Sequence, residues 1–96
     1  MIRSFGDSLT EDLYNGTRSA RTRRIPQNLI PSILRKLDML HAAYELKDLR
    51  VPPGNHLEGL KRDLTGFYSI RVNDQWRIVF KWVDHYAEDV KLVDYH

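Results

Sequence analysis

The chain contains no cysteine. That removes disulfide staples, thiolate metal ligands and a cysteine nucleophile together. Nowhere does it carry a run of about 18 apolar residues, so no membrane span is expected. Its start, Met1-Ile2-Arg3-Ser4-Phe5-Gly6-Asp7, lacks the apolar stretch of a secretory signal, and a soluble, cytoplasmic protein is the expectation. Glycine is scarce and scattered, and no G-x-x-x-x-G-K phosphate loop occurs, which argues against nucleoside-triphosphate chemistry. The histidines, His41, His56, His85 and His96, stand singly, without an H-E-x-x-H pair. Neither a metal centre nor a cofactor is expected.

What remains is ordinary globular material: 96 residues, 42% of them hydrophobic and 29% charged. That is enough for one thin core, and a single domain over residues 1–96 is the expected organisation. Charge is spread unevenly. Between Leu13 and Leu37 there is no acid, but Arg18, Arg21, Arg23, Arg24, Arg35 and Lys36 are all present. With a net charge of +2, that segment carries +6 and the rest −4. Residues 17–24 are polar, basic and without apolar periodicity, so they read as a loop. Such a loop suits a polyanion such as RNA; the alternative is a solvated connector whose charge only aids solubility.

Periodicity supplies the elements. Met1 to Phe5 alternates as a short edge strand would. Asp7 to Tyr14 reads as a helix stopped by Asn15-Gly16. Ile30, Ile33, Leu34, Leu37, Leu40 and Tyr44 recur at helical spacing, with Asn28 as expected N-cap and Pro31 in the first turn. Val51-Pro52-Pro53-Gly54-Asn55 ends that half. Beyond it the period becomes two. Phe67 to Val72 and Trp76 to Trp82 alternate around an Asn73-Asp74 turn; Trp76, Ile78, Phe80 and Trp82 share one face, Arg77, Val79 and Lys81 the other. After a turn at Asp84-His85-Tyr86, Val90 to Tyr95 forms a further strand. Helices followed by an antiparallel meander give an α+β fold.

Several side chains have chemistry to offer. The chain ends in Asp94-Tyr95-His96, an acid, a phenol and an imidazole directly after an apolar strand. RNA cleavage needs a base for the ribose 2′-hydroxyl, a proton for the leaving 5′-oxygen and cations around the phosphorane. An aromatic ring can hold a splayed base by stacking. Histidine is the residue whose unperturbed titration lies nearest neutrality. Residues 55–63 thread His56, Glu58, Lys61 and Arg62 between Leu57 and Leu60. Arg77 lies inside a strongly apolar strand, where a guanidinium needs a partner or a ligand. A structural ion pair to Asp94 or Glu58 and a contact to an RNA phosphate both remain open for it. Arg71 poses the same choice less sharply.

Together these segments resemble the HigB-type branch of the RelE/ParE toxin superfamily, over essentially the whole length. The carriers are Arg23-Arg24-Ile25-Pro26, residues 35–43 (RKLDMLHAA), residues 46–55 (LKDLRVPPGN), residues 68–78 (YSIRVNDQWRI) and Val93-Asp94-Tyr95-His96. The resemblance implies an α+β, RelE/ParE-like fold, with two to three N-terminal helices packed on a small curved antiparallel sheet. It implies the toxin of a type II toxin–antitoxin system: a ribosome-dependent, metal-independent endoribonuclease that cuts messenger RNA and so inhibits translation. Its implied partners are a HigA-like helix-turn-helix antitoxin, the 70S ribosome with its mRNA, and operator DNA through the antitoxin complex only. Asp94, Tyr95 and His96 match the family's C-terminal motif, Lys61 its basic position after Leu-x-x-Leu, and Arg77 its strand arginine. Lys61 and Arg77 would neutralise the scissile phosphate and Tyr95 would stack on a base. His96 and Asp94, then Glu58, would move protons. Two departures stand out. His56 occupies a position where this branch often has arginine, close to where related toxins place a catalytic histidine, and Arg62-Asp63 replaces Gly-Asp. Arg18, Arg21, Arg23, Arg24 and Arg71 are the expected RNA or ribosome contacts. Two other functions remain in play: a ParE-type inhibitor that binds DNA gyrase, and a non-catalytic RNA-binding module, since a fold does not fix a function.

Overall fold

A computed structural model describes residues 1–95. Two helices, α1 (Ser8–Asn15) and α2 (Ile30–Ala42), precede an antiparallel sheet in chain order: β1 (Glu58–Gly59), β2 (Phe67–Arg71), β3 (Trp76–Val83) and β4 (Tyr86–Asp94). Asp7 caps α1 by accepting from the Thr10 N–H, and Gly16, at φ +72°, closes it in the left-handed conformation that glycine adopts without steric cost. Pro31 sits in the first turn of α2 as expected. Asn28 is not its cap: residues Gln27–Leu29 form a 3-10 turn running straight into the helix, and Leu29 holds the cap position. Tyr44 lies beyond the last turn and is exposed, so the core stripe of α2 ends at Leu40.

The core lies between the helices and one face of the sheet. Ile33, Leu37 and Leu40 of α2 and Leu13 of α1 meet Ile70, Ile78, Phe80, Ala87, Val90 and Leu92. The expected alternation of β3 holds at its centre, with Ile78 and Phe80 fully buried in that core. A polar bond ties the layers together: the buried Thr10 hydroxyl accepts the Leu92 N–H at 2.8 Å. On the far side of α2, the buried Asn55 donates to the carbonyls of Leu49 (3.1 Å) and Val51 (3.4 Å) and accepts from the Lys36 ammonium. Burial, then the charge of Arg35, lowers the Lys36 pKa. The Pro-Pro-Gly-Asn block is thereby fastened to α2 just ahead of β1.

Residues 1–6 form no full strand. Ile2 and Phe5 make isolated parallel bridges to Ala87 and Val90, along the edge of β4 that β3 leaves open. β4 itself starts at Tyr86, earlier than the apolar alternation suggests, because a bulge interrupts its period. Val79 pairs with Lys91 but Lys81 pairs with Glu88, so Asp89 and Val90 together oppose Phe80, and Asp89 adopts φ +52°. The core residues Ala87, Val90 and Leu92 are accordingly spaced by three and then two. Gly6 is required at this point: a Cβ there would lie 2.8 Å from the Asp89 carbonyl oxygen.

Candidate active site

The helices cover one face of the sheet, and the candidate chemistry lies on the other. In the pairing register Arg71 stands opposite Arg77, Ser69 opposite both Val79 and Glu58, Arg77 opposite Val93, and Val79 opposite Lys91. Directly paired residues share a face. The face away from the helices therefore carries Glu58, Ser69, Arg71, Arg77, Val79, Lys91 and Val93. The bulge at Asp89 is what turns Lys91 and Val93 to this side.

Arg77 is the centre of it, only 7% exposed. Its Nε donates to the Ser69 hydroxyl at 2.8 Å, and Nη2 donates to the His56 carbonyl at 2.6 Å and more weakly to the Ser69 carbonyl at 3.4 Å. Glu58 Oε1 lies 3.7 Å from the same Nη2. Half of the guanidinium fork is thus anchored, while Nη1 has no partner among the described residues. Of the two readings open for Arg77, the structure shows the ion pair with Glu58, which among the described residues leaves one amino group to spare. Tyr95 continues past β4, held by its N–H to the Gln75 carbonyl at 2.6 Å, and its half-exposed ring has the Arg77 Cζ 5.7 Å from its centroid. Asn73 prepares this end by accepting from the N–H groups of Gln75 (2.9 Å) and Trp76 (2.8 Å), an Asx turn that sets the start of β3.

Tyr95 also forms a wall of an open cleft of about 520 Å³ lined by Lys61, Lys91, Leu60, Leu64, Phe67 and Val79, among others. Lys61 precedes the 3-10 turn Arg62–Leu64 and is exposed. The structure therefore brings Arg77, Glu58 and Tyr95 together, with Lys61 across the adjoining cleft. His56 enters through its backbone carbonyl, its own residue in the left-handed region at φ +43°, with an exposed side chain. Asp94 does not join them on this face. It pairs with Trp76, on the helix side, and accepts from Gln75 Nε2 at 3.1 Å. His96 lies outside the described residues. Arg71 is spent on an ion pair with Asp74 in its own hairpin.

Among the loop arginines, Arg21 is tied to Asp12 at 3.0 Å, and Arg18, Arg23 and Arg24 are exposed. Ser69, the buried orienter of Arg77, escaped the sequence reading because a serine within a strand carries no distinctive pattern. Lys91 escaped it because the bulge hides which face it occupies.

Helices on one face of a four-stranded antiparallel meander make up the fold, and known proteins share it. A family model described as the RelE-like toxin of type II toxin–antitoxin system HigB matches residues 3–96. Toxin HigB-1 of Vibrio cholerae serotype O1 is 44% identical over 92 residues, covering 96% of this chain and 95% of that protein. An uncharacterized protein of Haemophilus influenzae is 44% identical over 79 residues, 82% of this chain and 74% of its own length. Among solved structures, a chain of the YoeB–YefM complex from Staphylococcus aureus superposes with a TM-score of 0.62 at 19% identity, covering 100% of this chain and 98% of that one. YafQ from E. coli gives 0.58 at 13%, covering 98% and 93%. At such identities these structures show the fold alone. The chain belongs to the HigB-like toxin family.

Proposed function

We propose that this toxin is an endoribonuclease that cuts messenger RNA on the ribosome, with the Arg77–Glu58–Tyr95 face as its active site. The observation that carries the reading is the anchored Arg77 guanidinium: a buried cation whose Nη1 has no partner among the described residues, beside an aromatic ring on the sheet face away from the helices. A cation fixed in advance where charge develops needs no reorganisation during reaction, which is usually the largest catalytic term.

In the proposed reaction the ribose 2′-oxygen attacks the adjacent phosphorus, and the P–O5′ bond breaks. Glu58, beside Arg77, accepts the 2′-hydroxyl proton. Arg77, with Lys61 from across the cleft, neutralises the phosphorane. The leaving 5′-oxygen takes a proton from an acid, and His96 holds that role through the family motif it completes. The products are a 2′,3′-cyclic phosphate and a 5′-hydroxyl. Tyr95 stacks on a base beside the cut, and Asp94 supports the strand end through Gln75. No step in this scheme calls for a metal or cofactor. The ribosome supplies the orientation of the message, and a HigA-like helix-turn-helix antitoxin is the proposed partner that restrains the toxin and carries the complex to operator DNA. The site of action is the cytoplasm.

The test is incubation of a defined mRNA with purified protein, with and without programmed ribosomes. Cuts at codon positions only when ribosomes are present are expected. A folded protein that leaves the message intact in both arms, and instead inhibits DNA gyrase supercoiling, would replace this reading.

A further inference from the structure

The cleft beyond Tyr95 contains more than the proposed cleavage reaction uses. Its floor is apolar, built from Leu60, Phe67, Val79 and Val93, and Leu64, 46% exposed, forms part of its wall. Two ammonium groups belong to it, Lys61 and Lys91, and among the described residues neither has an ion-pair partner. Asp89 is the carboxylate on its lining. Its N–H donates to the Ser4 hydroxyl at 2.9 Å, and its carbonyl packs against Gly6. Lys91 is placed with some care. The Asp89 bulge turns it to this face, and the approach of Gly6 leaves its Cδ within 3.4 Å of where a Cβ on residue 6 would sit. The aliphatic stem is thus backed by the chain's first residues, while the ammonium remains exposed to solvent.

Resting on the endoribonuclease reading, we propose that this cleft seats one nucleotide of the message next to the cut, with Lys91 gripping its phosphate. The occupant follows from three features. A volume of about 520 Å³ with an apolar floor accepts a planar base. Cations at the lining match the phosphates on either side of that base. Tyr95 is shared with the Arg77 site, so a strand whose scissile phosphate meets Arg77 runs directly into the cleft. Lys91 then acts as a positioning residue: it holds the strand rather than the reacting atoms, and its removal weakens binding and spares the chemical step.

The experiment is single-turnover cleavage of mRNA on purified programmed ribosomes by the full chain, over a range of toxin and salt concentrations. Lys91→Ala is expected to raise the half-saturating toxin concentration about tenfold with the maximal rate within about twofold. Its salt dependence should flatten by roughly 0.7 in log–log slope, as expected when one fewer phosphate of a single strand is neutralised. Lys91→Arg should restore both. Leu64→Ser should raise half-saturation several-fold with the salt slope unchanged, because it removes apolar wall and no charge. A wild-type protein that cuts normally beside a Lys91→Ala variant with unaltered half-saturation and slope overturns the assignment. So does a Lys91→Ala variant that loses antitoxin affinity but cuts as the wild type does, which would give the cleft to a protein partner. A wild type that makes no cut brings down the endoribonuclease reading itself, a result distinct from either.

Discussion

Arg77 is held where burial and charge pull in opposite directions, and its partners decide the balance. Ser69 and the His56 carbonyl satisfy the desolvated N–H groups, and Glu58 offsets the charge. Arg77→Lys keeps a cation but loses the planar fork, so cleavage on ribosomes should fall by about 10²–10³ at saturation. Ser69→Ala strands the buried Nε and should cost about 1–3 kcal/mol in urea unfolding. A sharper comparison separates two carboxylates. Glu58 lies on the face of Arg77 and Asp94 on the opposite face, so Glu58→Gln should lower the single-turnover rate at least about tenfold more than Asp94→Asn. Equal losses would return Asp94 to the chemistry. Sequence reading singled out Arg77 because a guanidinium amid apolar alternation needs an explanation. The placing of Asp94 ahead of Glu58 rests on the family's C-terminal motif, and the strand geometry that sets successive residues on opposite faces is not legible in that motif.

Among the elements, β4 joins the two functions of the sheet. Its core side meets α1 through Thr10 and Leu92, and its other side presents Lys91 and Val93 to the cleft. The switch between them is the Asp89 bulge, clasped by residues 4–6: the Val90 N–H donates to the Ser4 carbonyl and the Gly6 N–H to the Val90 carbonyl. Gly6→Ala forces a Cβ against backbone, which cannot rotate away. It should destabilise the protein by about 1–3 kcal/mol, measured as a lower urea midpoint, and raise the half-saturating toxin concentration through displacement of Lys91. A variant as stable as wild type would show that the bulge is not clasped in this way. The α2 stripe, the Gly16 stop and the alternation of β3 were legible because each follows one uninterrupted period. The first half of β4 was not, since a single inserted residue breaks the alternation. Nor was the start of α2, where a 3-10 turn takes the place of a side-chain cap.

Across the whole molecule, the fold separates its labours by surface. Helices seal one face of the sheet, the other carries Arg77 and the cleft, and the basic connector between α1 and α2 offers Arg18, Arg23 and Arg24 to solvent. That connector is proposed to draw the toxin to the ribosome rather than to act on the message. Arg23 and Arg24 changed together to alanine should weaken association with ribosomes about tenfold at near-physiological salt while leaving the saturated cleavage rate within about twofold. An equal loss at saturation would place these residues in the reaction. The central claim, that the chain cleaves RNA by attack of the 2′-hydroxyl under the Arg77 face, is tested most directly by the chemistry of the cut ends. Messages cut on programmed ribosomes should carry a 2′,3′-cyclic phosphate upstream and a 5′-hydroxyl downstream. Ends bearing a 3′-hydroxyl and a 5′-phosphate would contradict the account.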